Sequence, residues 1–180
     1  MFILKKVYCR IFQKVFRIAL PLLPYREPEI LESIELIPAV VEKNGCKKPI
    51  IVTDKGIVNL GLIDSLVEAL KKSEIPFAIY DETVPNPTTD NVAKAYDLYK
   101  KENCDCLIAF GGGSSMDCAK ALGVQIVYPK KTLGQLKGIL KVHKKLPLLI
   151  AIPTTAGTGS ETTLAAIITD SKTRHKYAIN

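Results

Sequence analysis

An α/β fold is what this sequence predicts: a Rossmann-like parallel sheet wrapped by helices, ending in a C-terminal β-hairpin. Three observations carry that expectation. Several short apolar runs lack polar alternation, as strands buried on both faces do. Most of them are joined to the next by a segment with helical periodicity. The length, 180 residues of which 47% are hydrophobic and 24% charged, suits one globular domain rather than a disordered chain.

The elements follow in order. Residues 1–26 pair apolar positions every four residues (Ile3-Leu4, Val7-Tyr8, Ile11-Phe12, Val15-Phe16, Ala19-Leu20) with basic residues between them, which is an amphipathic helix stopped at Pro21 and Pro24. Lys14 and Arg17 interrupt any signal-peptide core. Two readings stay open for it: a helix lying in a lipid interface, and a helix docked on its own protein or on a partner subunit. Residues 27–44 read as helix, broken or re-started at Pro38 and ended by Gly45. Then come strand Pro49–Asp54, helix Ile57–Lys72 with Leu62, Ile63, Leu66, Val67 and Leu70 inward, strand Phe77–Tyr80, and helix Thr89–Lys101. Strand Cys106–Phe110 leads into a glycine loop and helix over 111–124, and a Lys-rich stretch leads to strand Leu148–Ile152. A small-residue loop at 153–160 precedes a hairpin built from Thr162–Thr169 and Tyr177–Ile179.

The formal charge of +7 suggests a nucleic-acid partner until it is located. Six of the 25 basic residues precede the first acid, Glu27, which leaves 19 basic against 18 acidic side chains in the remainder. A near-neutral body is not expected to grip phosphate backbones. The five cysteines are odd in number and form no zinc-type CxxC pair, which fits a reducing cytoplasm. Cys104 and Cys106 flank Asp105 at the start of an apolar run, where packing is the plain expectation and redox or metal chemistry the sharper one. The two histidines, His143 and His175, lie 32 residues apart, so no complete histidine-based metal site is expected.

Three segments leaving strand ends carry candidate chemistry. Gly111-Gly112-Gly113-Ser114-Ser115-Met116-Asp117 precedes a helix; glycines there let backbone amides approach an anion at the helix N-terminus. A serine N-cap or a plain turn explains the same residues. A P-loop does not, because no Gly-Lys-Ser/Thr follows and Lys120 lies too deep in the helix. Asp54 ends the first strand, where an acid can hydrogen-bond ribose hydroxyls or cap the next turn. It lies 57 residues before Gly111, whereas the usual fingerprint puts the acid about 20 residues after the glycines. Pro153–Ser160 offers four hydroxyls and two glycines after an apolar strand, suited to phosphate, ribose or carboxamide oxygens, or to a linker.

With these motifs in hand, the sequence resembles the iron-dependent (group III) alcohol dehydrogenases of the dehydroquinate synthase-like fold. The resemblance runs from about Ile50 to Asn180 and rests on PIIVTDKG, VPNPT, GGGSSMDCAK, IPTTAGTGSE, ITD and the Lys176-Tyr177 pair. It implies that Asp54 reads the ribose and selects NAD, and that Gly112, Gly113, Ser114 and Asp117 hold the pyrophosphate region. It implies further that Asn86, Thr154, Thr155, Thr158, Thr163 and Lys176 line the rest of the cofactor site. In that family a helical second half supplies an aspartate and three histidines to a divalent metal, iron or zinc, which activates the alcohol. The expectation is therefore residues 1–26 as a basic helix and 27–180 as the NAD-binding domain. That metal-binding half is expected to be missing here, and the chain alone is expected to be inactive. The intact enzyme would act on an alcohol or aldehyde. No nucleic acid and no membrane are expected as partners, and homo-oligomerisation is left open. The alternatives are a non-catalytic nucleotide-binding or interaction module, and a glycerol, polyol or glycerol-phosphate dehydrogenase or a dehydroquinate synthase of the same fold.

Overall fold

The computed structural model describes residues 2–19 and 28–180. Two compact units divide the chain, residues 1–30 and 31–180. Among the described residues the first contains one helix, α1 (Phe2–Ala19), with Arg17 in its last turn and no acid in its first. Val7, Tyr8, Ile11, Val15 and Ile18 are exposed. The expected stop at Pro21 and Pro24 lies outside the described residues. Among the described residues no helix is long and apolar enough to cross a membrane.

The second unit is built on the apolar runs. Pro49–Val52 (β1), Ala78–Tyr80 (β2), Cys106–Gly111 (β3) and Leu149–Pro153 (β4) form one sheet in the order β2-β1-β3-β4, with every pairing parallel. β1 and β3 are central and buried at every residue, so they can be apolar throughout, as the missing alternation implied.

Successive side chains leave a strand on opposite faces, and the core divides accordingly. Ile51, Cys106, Ile108, Phe110 and Ile150 pack with the helices α2 (Ile37–Lys43), α3 (Lys55–Asn59) and α4 (Asp64–Lys72). Ile50, Val52, Leu107 and Ala109 pack with α5 (Thr89–Lys101) and α6 (Gly113–Val127). On that same face lies the antiparallel hairpin of β5 (Ala166–Thr169) and β6 (Lys176–Ile179), which buries Ala166, Ile168, Tyr177 and Ile179. The predicted architecture is therefore present, hairpin included.

Three expectations are corrected. The predicted helix over 27–44 is confined to a 3-10 turn at Ile34–Leu36 and to α2. Of the two readings at Pro38 the restart holds: the proline sits in the first turn of α2, where an N–H would be unpaired anyway. The single helix over 57–72 is two helices, since Gly61 turns the chain at φ 67°, a conformation only glycine adopts freely. Leu62, placed inward on the one-helix reading, sits at that turn and is 48% exposed. The hairpin's first strand begins at Ala166 rather than Thr162, because residues 160–162 form turns.

Candidate functional site

From β1 the chain runs outward to β2, then returns across β1 to β3. The connections leaving β1 and β3 therefore diverge, and open α/β sheets bind ligands in the gap this creates at the carboxyl ends of the strands. A cleft of about 950 Å³ opens there, with Asp54 and Lys55 on one wall and Gly112, Gly113 and Ser114 on the other. Thr154, Thr155 and Thr158 complete it, with Asp81, Glu82 and Thr83 after β2.

The glycines are required by close approach. Gly111 closes β3 at φ 143°, and a Cβ there would stand 2.6 Å from Ser115 Oγ. A Cβ on Gly112 would lie 3.2 Å from the Thr155 side chain, and one on Gly113 would lie 3.1 Å from Ser160 Oγ. Gly112 is the N-cap of α6 and supplies no side-chain acceptor. The first-turn amides of this 15-residue helix are therefore uncapped, and with the helix dipole they favour an anion. Ser115 Oγ, buried at the same turn, has no protein partner. The N-cap reading of Ser114 and Ser115 is thus set aside, since both lie inside α6.

Asp54 is half-buried and is the N-cap of α3, its Oδ1 accepting the Ile57 N–H at 3.1 Å. Its Oδ2 is on the Gly111 side, 3.6 Å from where a Cβ on that glycine would be. One carboxylate thus caps a helix and faces the cleft. Beyond it, Lys94 donates to Glu82 Oε2 at 2.8 Å and holds the Glu82 carboxyl below its ordinary range. Asn91 supports this wall, its amide donating to Glu82 O at 2.8 Å and to Tyr80 OH at 3.2 Å.

The 153–160 loop lies beside the glycine turn because β3 and β4 are neighbours, with Gly111 opposite Pro153 and Thr154 N donating to Gly111 O at 3.0 Å. A cation holds its far side. Lys120, half-buried in α6, donates to Ser160 O, to Thr163 Oγ1 at 2.9 Å and to Ala165 O at 3.0 Å. Burial pulls its pKa down, and Asp117, 3.8 Å away, opposes the shift. Burial pushes the Asp117 carboxyl up, countered by the Ile167 N–H and by Lys120. Asp117 therefore ties α6 to β5. Lys120 is no P-loop lysine, as expected, but its hold on the 160–165 segment was not read from the sequence. The available signal was a lysine one turn after an aspartate in an otherwise apolar helix.

The predicted site residues divide in two. Asp54, Gly112, Gly113, Ser114, Thr154, Thr155 and Thr158 line the cleft. Asn86, Asp117, Thr163 and Lys176 do not: Asn86 touches the lining residue Ser114, Lys176 reaches it only through Asn86, and Asp117 and Thr163 contact Lys120. Asn86, at φ 58°, donates its N–H to Ser114 Oγ at 3.3 Å and accepts from Lys176 Nζ at 2.7 Å. His143 and His175 are both exposed. The only close His, Cys, Asp or Glu group among the described residues that could share an ion is Cys46, Asp105 and Cys106, at the opposite end of the sheet. Among the described residues, the donor set for the implied catalytic metal is thus not assembled at the cleft.

An open parallel sheet with an uncapped glycine turn at its switch point defines a doubly wound α/β domain. The sequence profile of the iron-containing alcohol dehydrogenases matches residues 31–180, and the chain belongs to that family. It is 44% identical over 140 residues to alcohol dehydrogenase 4 of Schizosaccharomyces pombe, covering 77% of this chain and 33% of that protein. It is 43% identical over 135 residues to choline dehydrogenase of Bacillus subtilis, covering 74% of this chain and 34% of that one. The crystal structure of sulfoacetaldehyde reductase from Bifidobacterium kashiwanohense in complex with NAD+ superposes with a TM-score of 0.72 at 31% identity, over 81% of this chain and 38% of that one. The chain spans about a third of the length of the curated relatives it matches.

Proposed function

We propose that residues 31–180 are the NAD-binding domain of a metal-dependent alcohol dehydrogenase, which passes hydride between an alcohol and NAD. One observation carries this reading. The uncapped N-terminus of α6 stands behind a glycine turn and across a cleft from Asp54, at the switch point of the sheet. The relative solved with NAD+ and those named alcohol and choline dehydrogenase support it. NAD, when bound, supplies the hydride acceptor.

The chain's own residues bind and orient. The first-turn amides of α6 and the bare backbone of Gly112 and Gly113 receive the pyrophosphate, and the Ser114 hydroxyl lies beside them. Asp54 accepts from the ribose hydroxyls, and its charge repels the 2′-phosphate of NADP. Thr154, Thr155 and Thr158 offer hydroxyls to the remaining polar atoms. Asn86, Asp117, Thr163 and Lys176 hold those elements in place. No group of this chain is assigned to proton or hydride transfer, and no step is assigned to a metal. The substrate is an alcohol or its carbonyl partner. The five cysteines, all free, support a reducing cytoplasm.

Calorimetric titration of the chain with NAD and with NADP at one ionic strength tests this. NAD should bind at least about tenfold more tightly, a difference of roughly 1.4 kcal/mol. Absence of NAD binding would sink the reading, and equal affinities would remove the ribose-reading role from Asp54.

A further inference from the structure

The end of the sheet opposite the cleft carries a second chemical cluster. Cys46 lies in the loop between α2 and β1, Asp105 immediately precedes β3, and Cys106 is the first residue of β3. One ligand atom from each, two Sγ and a carboxylate oxygen, lie within 4.8 Å of one another. We propose that these three side chains form a site for a thiophilic divalent cation of the zinc type, separate from the nucleotide cleft and from any catalytic metal.

The three ligands are already held by backbone structure. Asp105 Oδ2 accepts the Lys47 N–H at 2.7 Å and Oδ1 accepts the Lys48 N–H at 3.0 Å, while its own N–H donates to Lys48 O at 3.0 Å. Each carboxylate oxygen keeps a second lone pair for a metal. Cys106 is fixed by its register opposite Pro49 and is fully buried. Cys46 is half-buried over it, with its N–H donating to Val41 O at 3.0 Å. Bonds of about 2.3 Å to sulfur and about 2.0–2.2 Å to oxygen set tetrahedral ligand atoms roughly 3.5–3.8 Å apart. Side-chain adjustments of about 1 Å therefore close the cluster on an ion, and water takes the fourth position.

The chemistry selects the ion. Two sulfurs and one carboxylate favour zinc or cadmium over magnesium or calcium, which prefer all-oxygen shells. A coordinating thiol is deprotonated outright, so each cysteine would bind as its thiolate. Lys48 is already paired with Glu102 at 2.8 Å. Cys104, although two residues from Cys106, packs into the other core cluster, so the Cys-Asp-Cys triplet read in the sequence does not itself chelate. β3 has six residues, which places the site about 20 Å from the glycine turn. The ion has no part in cofactor binding.

The test is titration of the reduced chain with cadmium(II) under anaerobic conditions, read by thiolate-to-metal charge-transfer absorption in the ultraviolet. One equivalent should bind with that band. Removal of an outer-shell partner costs about 10–100-fold in metal affinity, so Cys46→Ser should weaken binding by at least about 100-fold. Asp105→Asn should weaken it by about tenfold. Cys104→Ser and Cys9→Ser should leave the band in place. Cys46 is only half-buried, so its replacement keeps the test usable if Cys106→Ser fails to fold. A band that survives in Cys46→Ser, or no charge-transfer band in the folded wild-type chain, overturns the proposal. NAD affinity is unchanged by cadmium if the two sites are separate, and competition between them also overturns it.

Discussion

β1 and β3 are adjacent, parallel and in register, yet the turns that leave them are chemically opposite. After β1, Asp54 folds back on the Ile57 N–H and spends a carboxylate oxygen on the first turn of α3. After β3, three glycines lead into α6 with no side-chain cap, although that helix is 15 residues long and α3 only five. The α5 turn is closed as well, by a reciprocal pair between Thr88 and Asn91. Position at the end of a central strand is thus shared, and the N-cap residue decides whether the amide donors are used internally or offered to a ligand.

The largest effect should come from filling the open turn. Gly112 has φ −83°, which any residue can adopt, so valine is tolerated by the backbone. Its side chain would meet Thr155, already 3.2 Å from an ideal Cβ, and would project where the pyrophosphate is proposed to lie. Gly112→Val should weaken NAD binding by at least about 100-fold, roughly 3 kcal/mol, while circular dichroism shows a folded domain. Gly111→Ala is the contrasting variant. At φ 143° and 2.6 Å from Ser115 Oγ, an added Cβ strains the backbone by about 1–3 kcal/mol and should lower the melting temperature first. If Gly112→Val unfolds the chain while Gly111→Ala does not, the comparison between turns is wrong.

A smaller effect tests whether the open turn depends on the loop beside it. Lys120→Met removes three hydrogen bonds from the 160–165 segment and leaves its carbonyls with fewer partners. Lost hydrogen bonds to a charged donor predict a stability loss of about 2–3 kcal/mol. If Lys120 positions Thr155 and Thr158, NAD binding should fall by about tenfold as well, and Lys120→Arg should recover part of it. Chemical denaturation and titration on the same samples separate these outcomes. Stability lost with affinity unchanged would make Lys120 a structural anchor only.

What the sequence disclosed follows from how local each signal is. The central strands were legible because burial on both faces removes polar alternation, a property of four to six consecutive residues. Helix α5 was placed at its observed bounds, and its Thr88 and Asn91 caps lie three residues apart. The cleft was legible because Asp54, the glycine turn and the Pro153–Ser160 loop each follow such a strand. The split at Gly61 was missed because the apolar positions of 57–72 fit one helix, and only the turn conformation of a single glycine separates α3 from α4. The Lys120 contacts span 40 to 45 residues and the Cys46–Cys106 cluster spans 60, so neither has a local pattern. The placement of Asp54 was half visible: capping and ribose recognition were read as alternatives, and the structure shows the cap with the other carboxylate oxygen on the cleft side.

The finest test separates those two uses of Asp54. Asparagine is as good an N-cap as aspartate, so Asp54→Asn should keep the bond to Ile57 N and change stability by no more than about 0.5 kcal/mol. Its amide carries no charge to repel a 2′-phosphate, and the NAD-over-NADP preference should narrow by about tenfold. Asp54→Ala removes both roles, with a capping loss of about 1 kcal/mol in addition. If ribose reading is real, the two variants should share the altered preference and differ in melting temperature. A preference unchanged in Asp54→Asn, together with a destabilised Asp54→Ala, would leave Asp54 as the cap of α3 alone. The selectivity would then have to come from the neighbouring acids Asp81 and Glu82, which line the same wall of the cleft.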